Sequence, residues 1–360
     1  MVRDYFPDSY QQARGAFLAA AQAAGARLHR YDNTGVRGPA GEALTTDAAW
    51  LGPADASRVL VTVSATHGAE GFCGSGVQTG SFRSGLAREL PADTALLAIH
   101  AINPYGFAWI RRVTEDNVDL NRNFVAYDRP LPRNDGYLAL ADVLCPAEWS
   151  ETARRSARTQ LAAYGERHGA AALQKAITSG QYSHADGIFY GGAAPTWSRR
   201  VFLRIAAEHL SRARRVAVID YHTGLGPYGH GEKIIVHPPG SAGLARARAW
   251  YGDNVTSPAL GTSTSSDLIG DLMTGLAAAL PAVEVTGMGL EYGVLSLEDT
   301  IDAVRADNWL HHHGAVESAQ GREIKAQVRA TFYGDADDWK DMVFEQAVDA
   351  QRRALAGLAG

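Results

Sequence analysis

The sequence predicts an α/β fold, a mixed and mostly parallel twisted sheet with helices on both faces in three layers. Three observations carry that prediction. Apolar, β-branched runs of strand length recur at 57–65 (SRVLVTVSA), 95–102 (ALLAIHAI), 215–222 (RVAVIDYH), 232–238 (EKIIVHP) and 282–292 (AVEVTGMGLEY). Helix-like stretches such as 74–86 (GSGVQTGSFRSGL) and 266–280 (SDLIGDLMTGLAAAL) separate them, and that alternation is the pattern of a sheet covered on both sides. The third is negative: in 360 residues there is no internal repeat and no low-complexity linker, so one domain over 1–360 is expected.

Taken in order, residues 8–24 place apolar side chains at helical spacing, and RLHRYD after them reads as a short strand. The strand-and-helix rhythm then runs to Phe124. It stops for a mostly helical insertion at about 125–197, which includes WSETARRSARTQLAAYGERHG and ends in the Gly- and aromatic-rich SGQYSHADGIFYGGAAPTW. The rhythm resumes after Trp197. From about Leu297 the chain is again mainly helical, with SLEDTIDAVRADNWLHHHG as its clearest helix.

Composition excludes several function classes. The net charge of -5 is small, and the arginines are scattered among acids instead of forming one basic face, so nucleic acid is not an expected partner. The first residues carry acids and polar groups where a signal peptide needs an apolar core, and no window approaches the ~20 apolar residues of a membrane span. A cytoplasmic protein without membrane partners is expected. Cys73 and Cys145 are too few for a disulfide framework and read as packing residues. The run His311, His312, His313 ends a helix, where cations suit the dipole, and consecutive side chains there are poorly placed to share one ion.

The chemistry gathers at strand ends, where open α/β sheets collect functional groups. VTVSATHGAEGF brings His67 and Glu70 to the end of one strand, and RVAVIDYHTG brings His222 to a similar position on another. An isolated H-x-x-E reads more simply as a strand cap and a helix start. Two histidines and one carboxylate together form a three-ligand set, the kind that leaves a zinc ion an open position for water. In 102–124 (INPYGFAWIRRVTEDNVDLNRNF), Arg122 beside Asn121 offers a planar fork for a carboxylate, and Asp119 is able to accept the free ring N–H of a ligand histidine.

In this order and at these separations, H-G-A-E-G, N-P-Y-G, V-D-L-N-R-N-F, D-Y-H-T-G and L-E-Y-G resemble the zinc carboxypeptidase family, in particular a bacterial branch described only as of unknown function. The likeness runs from about residue 58 to the helix holding Asn308 and Trp309. It implies one Zn2+ held by His67, Glu70 and His222, with Asp119 behind the first histidine. It implies further that Asn121 and Arg122 hold a terminal carboxylate, and that Arg111 or, preferentially, Arg112 polarises the scissile carbonyl. Glu291 matches the glutamate that takes a proton from the attacking water. Glu284 competes, but seven positions apart on one strand the two face opposite ways, and Glu291 is nearer the strand's end.

In the insertion, Tyr182, His184, Tyr190 and Trp197 read equally as a lid or pocket wall and as packing, Tyr190 being the candidate for substrate contact. Thr223 stands where the family often has a small hydroxyl residue. The expected function is a zinc-dependent hydrolase that cleaves an amide next to a free carboxylate, acting on a small peptide. The alternative is an aspartoacylase-like deacylase of N-acyl amino acids. A carboxylate-binding protein without catalysis is the remaining reading.

Overall fold

The β-branched runs pair into one seven-stranded sheet. The computed structural model describes residues 1–360, apart from the side chain of Ala87. Its strands are β1 (Arg27–Arg37), β2 (Ala43–Leu51), β3 (Arg58–Val63), β4 (Thr94–His100), β5 (Arg215–Tyr228), β6 (Gly231–Ile234) and β7 (Glu284–Gly293), in the spatial order β1-β2-β4-β3-β5-β7-β6. The neighbours β4, β3, β5 and β7 run parallel, whereas the pairs β1–β2, β2–β4 and β6–β7 are antiparallel.

The helices in chain order are α1 (Tyr10–Ala23), α2 (Gly71–Ser84), α3 (Pro104–Ala108), α4 (Asp135–Leu138), α5 (Ala141–Leu144), α6 (Glu151–His168), α7 (Ala170–Thr178), α8 (Trp197–Leu210), α9 (Ala242–Tyr251), α10 (Leu272–Ala279), α11 (Leu297–His313), α12 (Ala319–Phe332) and α13 (Asp337–Ala359). Strand alternation sorts the core into two layers. Leu60, Ala217, Ile219 and Leu290 meet Phe17 of α1, Val77 of α2, Tyr251 of α9 and Val343 of α13. On the other face Val59, Val61, Val63, Val216 and Val218 meet Phe202 and Ile205 of α8 and Leu276 of α10. The insertion supplies a third cluster, in which Tyr137, Leu144 and Ile177 pack with Val304 of α11 and Phe332 of α12. Among the described residues, no helix is long and apolar enough to cross a membrane.

Three features depart from the sequence reading. The strand expected at RLHRYD is half of a hairpin, because β2 (ALTTDAAWL) forms between it and β4. Alanine and aspartate are poor strand formers, so pairing on both sides decides the conformation there. Tyr10 of α1 fastens it, its hydroxyl donating to Thr45 O at 3.0 Å and accepting from Thr45 N at 2.8 Å. The helix expected over 266–280 begins only at Leu272, because Asp271 caps it by accepting from Thr274 N at 2.9 Å. His311 lies in the last turn of α11 as expected, but uncharged. Burial, with Arg111 nearby, pushes it down to about 3, and its Nε2 lies 2.7 Å from Lys325 Nζ.

Candidate metal centre and active site

β3 lies between β4 and β5, so the chain leaves its carboxyl end in opposite directions and opens a crevice there. His67 lies just beyond β3. The loop that carries it is pinned to the one after β4, with Ile102 N donating to Ser64 O at 3.0 Å and Asn103 N to Ala65 O at 3.1 Å. Gly68 is required by close approach: a Cβ there would lie 1.9 Å from the Gly106 carbonyl carbon in α3. Gly68 N then donates to Arg112 O at 3.2 Å and Ala69 N to Arg111 O at 2.7 Å, which lays the arginine segment beside the histidine. Glu70 precedes α2 and is buried. His222 and Glu291 are register partners on β5 and β7, so their side chains leave the sheet on one face.

Three side chains converge. His67 Nδ1 lies 2.9 Å from Glu70 Oε1, His222 Nδ1 lies 2.9 Å from Glu70 Oε2, and the two Nδ1 atoms are 3.2 Å apart. Ligands at ~2.0–2.1 Å from a tetrahedral zinc would stand roughly 3.3–3.4 Å apart, close to these separations. The outer ring nitrogens meet carboxylates: His67 Nε2 is 3.2 Å from Asp119 Oδ1, and His222 Nε2 is 2.8 Å from Asp220 Oδ2. A proton on each Nε2 satisfies those carboxylates and leaves both Nδ1 lone pairs facing Glu70. The donor set therefore fits one divalent cation.

Arg112 Nη2 also approaches His67 Nε2, at 2.8 Å. That contact needs a lone pair on Nε2, so it is the alternative to the proton shared with Asp119. With Nδ1 given to a metal, the guanidinium must turn from the ring. Two further contacts hold it in the site, Nε to Asp119 Oδ2 at 2.9 Å and Nη1 to Glu70 Oε1 at 3.3 Å, and it lies 5.2 Å from the Phe189 ring centre.

Burial and charge set the protonation states. Burial would raise the Glu70 carboxyl, but His67 and His222 outweigh it and hold the group well below its usual range. Burial likewise opposes ionisation of Asp119, and Arg112, Arg122 and His67 overcome it. Against the burial that lowers it, Asp220 and Glu70 hold His222 well above its usual value, so a cation bound through Nδ1 would have to displace a proton there. Glu291 goes the other way: burial, then the charge of Glu70, push it up to about 8. Two carboxylates in one site thus have opposite characters.

A cavity of about 160 Å³ opens onto these groups, lined by His67, Arg112, Arg122, His222 and Glu291 among others. Arg111 is turned away from it, with Nε on Asp307 Oδ2 at 2.9 Å and Nη2 on Asn117 Oδ1 at 3.2 Å. Asn121 and Arg122 line the cavity; Asn121 Oδ1 accepts from Leu272 N at 3.0 Å. Arg122 is threaded past Gly180, where a Cβ would lie 2.6 Å from its Cδ. Its Nη1 donates to Asn121 O at 3.0 Å and its Nη2 to Thr178 O, leaving a buried Nε with no partner.

Tyr190 stands off the cavity, and the wall is made instead by Phe189, whose φ of +53° turns it inward. Tyr182 packs by donating to Arg122 O at 2.6 Å. Glu284 is at the far end of β7, 2.9 Å from Arg215 Nε. Thr223 lines the cavity with its N–H 3.2 Å from Glu70 Oε2. Two participants escaped the sequence reading. Asp220 shared a strand face with His222 two residues on, a D-x-H spacing that carries the signal; Phe189 offered none.

Among solved structures, the chain is similar to carboxypeptidase A from Helicoverpa armigera, at 14% identity over 89% of this chain and 73% of that one, with a TM-score of 0.46. It is similar to murein-tripeptide amidase MpaA from Escherichia coli O157, at 16% identity over 83% and 91%, TM-score 0.34. It is also similar to a protein from Shewanella amazonensis SB2B assigned to the succinylglutamate desuccinylase/aspartoacylase family, at 17% identity over 80% and 73%, TM-score 0.37. No curated protein matches. The model of one family covers residues 6–346, and the chain accordingly belongs to DUF2817, a family described as proteins of unknown function.

Proposed function

We propose that the chain is a zinc-dependent hydrolase that cleaves an amide bond next to a free carboxylate. The convergence of His67, Glu70 and His222, with Glu291 on the adjacent strand, is the observation that carries this reading. When bound, the ion would supply Lewis acidity and lower the pKa of a water toward ~7. The rest falls to this chain's residues. Glu291, as a carboxylate in the cavity wall, takes a proton from the attacking water and returns it to the leaving amine. Arg112, freed from the His67 ring, faces the oxygen on which negative charge grows. Arg122, buried with donors to spare, holds the substrate carboxylate together with Asn121 and so aligns the scissile bond.

A dipeptide and an N-acyl amino acid both present a free carboxylate to Arg122 and Asn121, which keeps the deacylase reading beside the carboxypeptidase one. The test is turnover of a panel of dipeptides and N-acyl amino acids before chelation, after it, and after zinc return. Activity should vanish and come back; activity that survives complete metal removal overturns the proposal. Glu291→Gln should keep the metal and lose about 10²–10⁴-fold in kcat. A non-catalytic binder would have no rate to lose.

A further inference from the structure

We propose that the acyl half of the substrate, on the side of the scissile bond away from the carboxylate clamp, is apolar and carries no charge. This rests on the amide-hydrolase reading and deepens it. The elements around the cavity divide into two groups. Asn121 and Arg122 sit with the start of α10, through Leu272 N on Asn121 Oδ1, and that side is floored by Ile234, Val236 and Met273. Gly289, the register partner of Asp220, leaves the floor open. A second stretch of the wall comes from α11, α12 and the end of β5, through Leu297, Ile301, Val304, Phe332 and Leu225, elements held together by Thr223 on Phe332 O and Thr300 on Gly224 O.

That second wall has little to offer an ion. Its hydroxyls are engaged with backbone carbonyls, Thr223 with Phe332 O at 2.5 Å and Thr300 with Gly224 O at 3.0 Å. No lysine, arginine or histidine of α11 or α12 lines the cavity among the described residues. Arg112 and Arg111 border Val304 and Phe332 in a small adjoining cavity, and both are already paired, Arg112 with Asp119 and Glu70 and Arg111 with Asp307. A succinyl, aspartyl or glutamyl acyl group would bury a carboxylate there with no partner, a strongly unfavourable arrangement. An alkyl group is favoured by burial, by about fourfold in affinity per methylene.

The experiment uses the zinc-loaded full-length protein and a series of N-acyl leucines with acetyl, butanoyl, hexanoyl and succinyl groups. Binding is read calorimetrically on Glu291→Gln, and kcat/KM on the unmodified protein. Butanoyl should exceed acetyl by about 16-fold, at about fourfold for each of two methylenes, and exceed succinyl by at least about 100-fold. Ile301→Arg, at a half-buried position on this wall, should shift the succinyl-to-butanoyl ratio toward succinyl by about tenfold or more. Turnover led by the succinyl compound, or an unshifted ratio in a folded Ile301→Arg, overturns this inference and leaves the hydrolase reading standing. Absence of turnover throughout, with butanoyl still bound more tightly than succinyl, overturns the hydrolase reading and supports the apolar subsite. Absence of binding by every member overturns the subsite.

Discussion

At the scale of single residues, the site depends on which ring nitrogen keeps its proton. Asp220 Oδ2, 2.8 Å from His222 Nε2, fixes that choice for the second histidine, and Thr66 donates to the other oxygen at 2.7 Å, tying the two ligand-bearing segments together. Asp220→Asn removes the charge and allows the amide to present N–H to the ring. The expected result is a 10–100-fold loss in zinc affinity with the fold intact, measured by competition with a chromophoric chelator. An unchanged affinity would remove Asp220 from the site's design. The three converging side chains were legible because β-branched runs lead into them, and a polar residue stands out against such a run. Asp220 was hidden inside such a run. Choosing between Arg111 and Arg112 needed the loop's conformation, since adjacent residues point apart and only the backbone pairing with Gly68 and Ala69 decides which one enters the cavity.

At the scale of elements, β7 positions Glu291 and α13 holds β7. Trp339, fully buried, donates from Nε1 to Gly293 O at 2.9 Å, and Tyr292 donates its hydroxyl to Val343 O at 3.1 Å. Trp339→Ala should cost about 3–5 kcal/mol through the cavity it leaves. Trp339→Phe keeps most of the packing; the lost hydrogen bond alone is worth about 0.5–1.5 kcal/mol. Urea midpoints at constant slope would separate the two, and an alanine variant within about 1 kcal/mol of the parent would show that α13 does not anchor the strand. The parallel strands were readable as apolar runs, because burial on both faces leaves a continuous signal. The hairpin partner β2 was not, since its Thr- and Ala-rich sequence becomes a strand through pairing with β1 and β4 and the Tyr10 clasp, none of which is local in sequence.

At the scale of the whole molecule, neutral histidines sit where separate layers meet. His100 ends β4 and stacks on Phe17 of α1 with ring centres 4.5 Å apart; its Nε2 lies 2.9 Å from Ser75 Oγ of α2, and its Nδ1 has no partner. Burial, then the charge of Arg14, push it down to about 3. His311, also pushed down to about 3, joins α11 to α12 through Lys325. Both folded values lie below the unfolded value near ~6.5, so between the two the unfolded chain binds protons that the folded chain refuses. Their contribution is therefore complete above about pH 6.5 and is lost as pH falls toward 3, at up to about 1.4 kcal/mol per pH unit for each histidine. Unfolding free energies from urea titrations at pH 7, 6 and 5 should fall accordingly, and His100→Gln should flatten the slope by up to about 1.4 kcal/mol per unit. A slope that His100→Gln leaves unchanged would mean that the ring takes up its proton in the folded state. The layer between α1, α2 and β4 would then admit charge, and acid sensitivity would have to originate in the carboxylates around His67 and His222.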